Sequence, residues 1–400
     1  MSDTGDNMAS AEDRILAGVF HKLPLSLVRG KGAMVWDAEG KEYVDCMGGY
    51  GVAIVGHANP EVVNAITRQA NELITCHGSI YNNMRADFLQ KLVEIAPKNM
   101  GRVFLSSSGA EAVECALKLA KKQTRRNEIV ALGGGYHGKT MGALSVTWNP
   151  KYREPFAPLM PGVQFAPLGD LEKLRELVSE KTAAVILEPI QGETGIHLPP
   201  DGYLDGIREL CSERDVLLIH DEIQSGFGRT GRIWAAQHWN IVPDILCLGK
   251  GIAGGLPIGA TLAKEEVMSA FKPGDHSGTF GGNPLVCAAG SASVEFLRRE
   301  KLEERAKTRG NILKQGLVEL AKKHRIVREV RGLGLMLAME LRFEVRDIIL
   351  EALTKGVILL YSGRNILRFL PPLVIEEEQV KKVLETLDEV LTEEERRRGV

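Results

Sequence analysis

AAVILEPIQGETGIHLPPDGYLDGIRELCSERDVLLIH, residues 183–220, is the stretch that decides the fold. It begins and ends with a short apolar run, AAVILEP and VLLIH, and an amphipathic stretch near 203–214 lies between the two. Short apolar runs of this kind are typical of strands buried on both faces, and a helix that joins two of them is typical of a parallel strand pair. The stretch therefore predicts a strand–helix–strand unit of an α/β protein.

The same alternation of strand and helix extends to both sides of this unit. Upstream lie RVFLS, a predicted helix from about 110 to 122, EIVAL and a predicted helix near 170–179, and downstream lies DILCLG. We therefore predict an α/β fold whose large domain contains a mostly parallel, doubly wound sheet.

The two ends of the chain have a different character. Two long charged helices are predicted near 284–299 and 301–323, and GAMVWDAEGKEYVD near the N-terminus predicts a strand pair with an EG turn. We expect residues 1–60 and 283–400 to form a smaller α/β domain, and residues 61–282 to form the large one.

The composition argues against several classes of protein. The 50 lysines and arginines nearly balance the 52 aspartates and glutamates, so neither nucleic acid nor a membrane surface is an expected partner. The six cysteines stand singly, with no histidine at zinc-ligand spacing, so no metal site is expected. No apolar run has the length of a membrane span, and the polar start MSDTGDNMASAEDR is unlike a signal peptide, so a cytoplasmic location is expected.

Asp221 directly follows the apolar run VLLIH and precedes a glycine-rich loop. Open α/β sheets bind ligands at the carboxyl ends of their strands. A carboxylate there can pair with the protonated ring nitrogen of pyridoxal phosphate (PLP), and Gln224 could reach the ring hydroxyl. Taken alone, Asp221 fits a helix N-cap or a structural acid better.

Lys250 follows the apolar run DILCLG and stands between two glycines. A lysine at the rim of an apolar strand loses solvation and proton affinity, which suits an imine-forming nucleophile. Most lysines are simply solvated, but a lysine between glycines 29 residues after Asp221 is a pair that chance rarely supplies.

SSSGAEA, residues 106–112, lies between the strand RVFLS and the helix that follows it. Backbone N–H groups at a helix start, beside serine hydroxyls and a glycine, suit a phosphate ester. An ordinary N-cap by Ser108 explains the motif equally well.

Together these segments resemble the class III aminotransferases, fold-type I PLP enzymes that include acetylornithine, ornithine and 4-aminobutyrate aminotransferases. The most specific stretch is DEIQSGFGRTG with the downstream GKG. The resemblance implies that Lys250 is the Schiff-base lysine, that Asp221 pairs with the pyridinium nitrogen, and that Gln224 contacts the phenol oxygen. It also implies that the phosphate is bound by Ser108, Gly109 and Ala110.

The resemblance further implies a homodimer whose active sites lie at the subunit interface. Tyr136, in GGGYHGKT, matches the aromatic residue that stacks on the cofactor. Thr279, in SGTFGGNPL, matches a threonine that reaches the cofactor phosphate of the other subunit. Without the resemblance, Tyr136 would be interpreted as a core or hinge aromatic.

Substrate contacts are implied for four positions. Arg368, in NILRFLPPL, matches the arginine that binds a substrate α-carboxylate, and Glu193, in QGETG, matches the acid that neutralises it when an amine end is bound. A structural ion pair is the alternative. The chain departs from the family pattern at Lys139, where relatives have arginine, and at Gly278, where relatives have serine or threonine, so contacts at both positions are in doubt.

Within the family, SVTWNPKYREPFAPL, REVRGLGLM and LRFLPPLVIEEE are most similar to the branch that acts on lysine or ornithine attached to the carrier protein LysW. This implies transfer of an amino group between glutamate or 2-oxoglutarate and a carrier-linked semialdehyde, in lysine or arginine biosynthesis. Because LysW is acidic, a basic docking rim is expected, with KKQTRR (121–126), Lys151 and Arg153 as candidates that could equally be solvated faces.

Several alternatives stay open from the sequence. Acetylornithine aminotransferase, a 4-aminobutyrate-type aminotransferase, and an aminomutase or racemase share the scaffold. A non-catalytic nucleotide- or phosphate-binding α/β protein is the alternative from another class, although neither GxGxxG after a first strand nor GxxxxGK[ST] occurs in a suitable place.

Overall fold

The computed structural model describes residues 3–400, with side chains from residue 8 onward, as a mixed α/β protein. The first elements are α1 (Asp3–Ile15), β1 (Leu27–Lys31), β2 (Met34–Asp37), β3 (Glu42–Asp45), α2 (Gly48–Gly51), α3 (Pro60–Glu72) and α4 (Asn83–Ile95). The middle of the chain contains β4 (Arg102–Ser106), α5 (Gly109–Thr124), β5 (Glu128–Leu132), α6 (Met141–Val146), α7 (Pro150–Arg153), β6 (Val163–Ala166), α8 (Leu171–Leu177), β7 (Thr182–Leu187), α9 (Tyr203–Glu213), β8 (Leu217–Asp221), β9 (Ile245–Leu248), β10 (Gly259–Ala263) and α10 (Glu265–Met268). The remainder contains α11 (Pro284–Arg299), α12 (Leu302–Lys323), β11 (Val327–Leu333), β12 (Met336–Leu341), α13 (Arg346–Thr354), β13 (Val357–Ile358), β14 (Leu360–Ser362), β15 (Ile366–Phe369) and α14 (Glu377–Arg398).

A seven-stranded sheet has the strand order β4-β10-β9-β8-β7-β5-β6. Strand β10 is antiparallel to both of its neighbours, and the other neighbouring pairs are parallel. The predicted mostly parallel sheet is therefore confirmed.

Helices cover both faces of this sheet. Along β7, Ala184 and Ile186 pack in the core beneath α5, whereas Val185 and Leu187 pack in the core beneath α8 and α9. Every residue of β7 is buried, which is why the strand is a continuous apolar run rather than an alternating one. The sheet is doubly wound, as the alternation of strand and helix predicts.

The two ends of the chain meet in a second region. Strand β3 pairs in parallel with β13, which joins the N-terminal strands to the C-terminal part. A separate sheet has the order β11-β12-β15-β14 and carries Arg368 on β15. Helix α11 packs against α3 and α4 and against the short 3-10 turn Lys250–Ala253. The division into domains at residues 60 and 282 stays a prediction.

Within residues 3–400, no helix combines the length and the apolar character needed to cross a bilayer.

Candidate active site

Most of the predicted site residues lie at one edge of the large sheet. The strands β4, β5, β7, β8 and β9 run in the same direction, so their carboxyl ends meet at that edge. The segments that leave those ends carry, in the same order, Ser108 to Ala110, Tyr136, Glu188, Asp221 and Lys250.

Asp221, the last residue of β8, is buried and held by two donors. Its Oδ1 accepts a hydrogen bond from the Ile223 backbone N–H at 3.0 Å, and its Oδ2 lies 2.8 Å from His137 Nδ1. Because a carboxylate only accepts hydrogen bonds, His137 donates from Nδ1. The two donors fix the orientation of this carboxylate.

Lys250 begins the turn after β9 and has a φ of 46°, in the left-handed region that non-glycine residues rarely adopt. Its backbone is thus held in a strained conformation at the sheet edge. Burial lowers the pKa of its ammonium, although the carboxylates of Asp221 and Glu188 oppose the shift. A larger fraction of neutral amine makes Lys250 a better nucleophile than a solvated lysine.

Three segments of the site approach one another closely around glycines. A Cβ on Gly249 would lie 3.2 Å from Gly109 Cα and 3.2 Å from Ile223 Cγ2. A Cβ on Gly109 would lie 2.7 Å from Ile223 Cδ1. The absence of side chains at Gly109 and Gly249 therefore brings the start of α5, the loop after Asp221 and the turn of Lys250 into direct contact.

The start of α5 provides hydrogen-bond donors for an anion. Ser108 is the N-cap, and its Oγ accepts from the Glu111 backbone N–H at 3.3 Å. The first turn of a helix leaves backbone N–H groups without intrahelical acceptors, and here these belong to Gly109 and Ala110. Ser108 can therefore act as the N-cap while the N–H groups of the same turn bind an anion.

Arg368 and Glu193 form a partly satisfied ion pair. Arg368 Nη1 lies 3.1 Å from Glu193 Oε2 and donates to the Gly192 carbonyl at 3.0 Å, while Arg368 Nε donates to the Tyr361 carbonyl at 3.3 Å. Among the described residues, the buried Nη2 has no acceptor. A buried guanidinium nitrogen without an acceptor is costly, so this geometry can accommodate one more carboxylate.

Tyrosines lie close to this ion pair. The Tyr136 and Tyr152 rings meet edge to face, with their centroids 6.3 Å apart. The Lys139 ammonium lies 2.9 Å from the centroid of the Tyr152 ring. Partial burial lowers the pKa of Lys139, while the nearby Glu193 opposes that shift. The aromatic ring of Tyr152 therefore holds the Lys139 ammonium through a cation–π contact.

Gly278 and Thr279 differ from the other predicted residues in their surroundings. Both are exposed in the loop after α10, and neither makes a hydrogen bond to another residue in the described part of the chain. The structure thus does not join them to Lys250 within one subunit.

His137, Glu188 and Tyr152 were not predicted from the sequence. Glu188 directly follows the apolar residues AAVIL (183–187), which is the same signal that identified Asp221, so it could have been found. The contact between His137 and Asp221 joins the loop after β5 to the last residue of β8, and no local pattern predicts it.

Of the buried polar atoms that have no partner among the described residues, three at this site test whether PLP fits it. They are Gln224 Oε1, His137 Nε2 and Arg368 Nη2. Buried polar atoms are nearly always hydrogen-bonded, so these atoms indicate a polar ligand. A group with a ring hydroxyl, a protonatable ring nitrogen and a phosphate matches Gln224, Asp221 and the start of α5, so the residues fit PLP.

Comparison with known proteins identifies the family of this chain. The family model described as Aminotransferase class-III matches residues 17–391. Acetylornithine aminotransferase of Methanopyrus kandleri is 46% identical over 95% of this chain and 97% of its own length. The [LysW]-aminoadipate semialdehyde transaminase of Deinococcus radiodurans is 43% identical over 96% of this chain and 89% of its own length.

Solved structures show the same fold. The ornithine aminotransferase of Toxoplasma gondii superposes with a TM-score of 0.95 at 33% identity, over 99% of this chain and 97% of that chain. A second structure of that enzyme, crystallized in the presence of oxidized glutathione, has partial occupancy of PLP at the active site. The family match spans nearly the whole chain, and this chain is therefore a pyridoxal phosphate-dependent transaminase of the class III aminotransferase family.

Proposed function

We propose that this transaminase transfers the terminal amino group between glutamate or 2-oxoglutarate and a lysine or ornithine semialdehyde linked to LysW. The reaction would serve lysine or arginine biosynthesis. Relatives from Deinococcus radiodurans and Sulfurisphaera tokodaii carry LysW in their names, at 43% and 39% identity. The pair of Glu193 and Arg368 is the observation that carries the proposed transfer of a terminal amino group, because it suits a pocket that binds both glutamate and a terminal amine.

The pair acts as a charge switch. While a terminal amine is bound, Glu193 neutralises Arg368 across the 3.1 Å contact. When glutamate enters, its α-carboxylate takes the place of the Glu193 carboxylate on the guanidinium. Glu193 is 30% exposed and Arg368 is 0% exposed, so Glu193 is the partner that has room to move.

The remaining residues divide the chemistry among them. PLP, when bound, supplies a ring that accepts the electron pair released at the amino-bearing carbon of the substrate. Asp221 keeps a proton on the ring nitrogen, and Lys250 Nζ removes the proton from the amino-bearing carbon. Gln224 holds the ring hydroxyl, Tyr136 covers the ring, and the phosphate is bound by Ser108, Gly109 and Ala110.

We further propose a homodimer in which Thr279 completes the phosphate site of the other subunit. Apolar side chains are exposed near this loop, among them Ile80, Tyr81 and Phe280. Arg85 joins the two loops, since it donates to the carbonyls of Ile80 and Gly282 at 2.9 and 2.7 Å. An exposed apolar patch of this kind supports a subunit interface.

The carrier is expected to dock near α7 rather than at residues 121–126. Lys122 forms an ion pair with Asp275, and Arg126 donates to backbone carbonyls, including that of Asp215 at 2.6 Å. Lys151, by contrast, is exposed on α7, next to Tyr152 at the candidate site. An acidic carrier could meet this lysine without breaking an existing contact.

Acetylornithine is the second candidate substrate, favoured by the 46% identity to the Methanopyrus enzyme. The two proposals differ only in what blocks the α-amino group of the substrate.

Rates with free, N-acetylated and LysW-linked lysine and ornithine test this proposal. We expect the LysW-linked substrates to react fastest, and Lys151→Glu to raise KM for them without changing KM for glutamate. Equal rates for the free and linked amines, or a higher rate for N-acetylornithine, would overturn the assignment of the carrier.

A further inference from the structure

Glu188, the residue after β7, is a buried carboxylate whose two oxygens both bond to backbone groups. Its Oε1 accepts from the Tyr136 N–H at 2.9 Å, and its Oε2 accepts from the Gly192 N–H at 2.9 Å. The side chain thus bridges two loops that are 56 residues apart in the sequence. Within the described residues it forms no ion pair with a lysine or arginine.

The first of these loops carries the residues assigned to the face and the nitrogen of the cofactor ring. Tyr136 is assigned to the ring face, and the next residue, His137, bonds to Asp221. A shift of the Tyr136 backbone would therefore move both the stacking ring and the histidine that orients Asp221.

The second loop carries the partners of the substrate-binding arginine. The Gly192 carbonyl accepts from Arg368 Nη1 at 3.0 Å, and Glu193 follows directly. A Cβ at Gly192 would lie 2.0 Å from Gln224 Oε1, so this backbone also lies against Gln224. A shift of Gly192 would change the positions of both Arg368 and Gln224.

A carboxylate in this position is costly to bury. Burial raises the pKa of Glu188 to about 7, with Asp221 adding to the shift and His137 opposing it. Lys250 and Tyr136 are the other ionisable groups that face it. An apolar side chain would avoid this cost but would leave both backbone N–H groups without an acceptor.

We propose that Glu188 is a positioning residue, which couples the loop of the cofactor-stacking Tyr136 to the loop that orients Arg368 toward a substrate carboxylate. The inference rests on the proposed roles of Tyr136 and Arg368. Glu188 touches neither the cofactor nor the substrate in this account, and it acts through the backbone of Tyr136 and Gly192.

Two variants of Glu188 test the proposal in the holoenzyme. Glu188→Gln keeps the shape and one acceptor oxygen, and Glu188→Leu removes both acceptors. Glu222→Gln is a matched control, because Glu222 is also buried and accepts from two backbone N–H groups, those of Ala235 and Ala236, at 2.5 and 2.9 Å. Those two residues lie outside the candidate site.

We expect the two substrates to differ in how much their KM values change. Glu188→Gln should raise KM for glutamate about tenfold, with a smaller change in KM for the terminal amine, because only glutamate needs the free Arg368. Glu188→Leu should have a larger effect and should weaken the visible circular dichroism of the bound cofactor. Glu222→Gln should leave the ratio of the two KM values unchanged.

Two outcomes are distinguished by Arg368→Gln, measured in parallel. If Arg368→Gln raises KM for glutamate but both Glu188 variants leave the KM ratio and the circular dichroism as in the parent, Glu188 does not position the site. If Arg368→Gln itself leaves KM for glutamate unchanged, the proposed carboxylate site is wrong, and the inference falls with it.

Discussion

At the scale of single residues, the site contains buried polar groups that each lack one hydrogen-bond partner. Arg368 Nη2 and Gln224 Oε1 are buried without a partner among the described residues. Such atoms are costly in an empty pocket and become satisfied when a polar ligand binds. The proposed binding of cofactor and substrate would thus supply the hydrogen bonds that Arg368 Nη2 and Gln224 Oε1 lack.

Glu193→Gln should separate the two substrates of the charge switch. Glutamine cannot neutralise Arg368, so we expect KM for glutamate to fall and KM for the terminal amine to rise by about tenfold. Stopped-flow measurement of each half-reaction gives the two values separately. Parallel changes in both values would show that the ion pair is only structural.

His137→Leu should weaken the site through Asp221. The substitution removes the donor 2.8 Å from Asp221 Oδ2 and leaves a buried carboxylate with one hydrogen bond. We expect kcat to fall and the free energy of unfolding to decrease by about 1–3 kcal/mol. Urea unfolding and steady-state kinetics would measure the two effects. An unchanged kcat would show that His137 does not support Asp221 in catalysis.

Glu222 should make the stability of the protein depend on pH. Burial raises its pKa to about 7 from the ordinary value of 4.5, so the folded state binds a proton that the unfolded state releases between these values. This contribution is present below pH 4.5 and is lost as the pH rises through 7. Glutamine stays neutral at every pH and lacks the contribution.

We therefore expect the free energy of unfolding of Glu222→Gln, taken relative to that of the parent, to be about 3 kcal/mol higher at pH 8 than at pH 5. Urea unfolding of both proteins at the two pH values measures this difference. A difference that does not change with pH would mean that Glu222 is not protonated in the folded state.

At the scale of elements, the apolar runs predicted strands and helices closely. Strand RVFLS and the paired helices near 284–299 and 301–323 are present as β4, α11 and α12. Strand β10 was not predicted, because its sequence GATLA consists mainly of small residues inside a glycine-rich stretch. Its burial comes from pairing with β9 and β4 on either side, which no local pattern records.

The residues of the site were predictable where they follow an apolar run, and were not predictable where they depend on contacts between distant segments. Lys250 and Asp221 each follow an apolar run, so local sequence identifies them as candidates. Tyr152 approaches the site only because α7 places its ring against Lys139. Contacts of that kind depend on how distant segments pack, and the sequence carries no periodic signal for them.

Gly310→Ala tests how tightly helix α12 packs on the turn between β11 and β12. Alanine favours a helix, but a Cβ at Gly310 would lie 2.0 Å from the backbone oxygen of Gly334. We expect the clash to dominate and the free energy of unfolding to fall by about 2 kcal/mol or more. Gly316→Ala in the same helix is the control, because the atoms nearest to its Cβ would belong to the side chain of Leu384 and not to the backbone. Equal stabilities of the two variants would contradict the packing.

At the scale of the whole molecule, the proposed active site is incomplete in one subunit. Thr279 lies exposed beside apolar side chains, whereas Ser108, Gly109 and Ala110 lie at the edge of the large sheet. A second copy of the chain could cover the apolar patch and bring Thr279 to the phosphate. Assembly and cofactor binding would then depend on each other.

Tyr81→Asp should shift the protein from dimer to monomer. The tyrosine is fully exposed in one chain, so a charge there costs little in the monomer and much in a dry interface. Light scattering measures the mass, and dialysis measures the retention of PLP, which should fall with the mass. Val242→Asp, at an exposed position before β9, is the control. A monomeric parent protein would refute the shared site.

Lys250 is the residue that we expect to bond covalently to the cofactor. The most direct measurement is reduction of the PLP-loaded protein with borohydride, followed by protease digestion and mass spectrometry of the peptides. We expect the cofactor on the peptide that contains Lys250, and on no peptide when Lys250 is replaced by alanine. A cofactor adduct on a different lysine of the parent protein would show that Lys250 is not the residue that binds the cofactor.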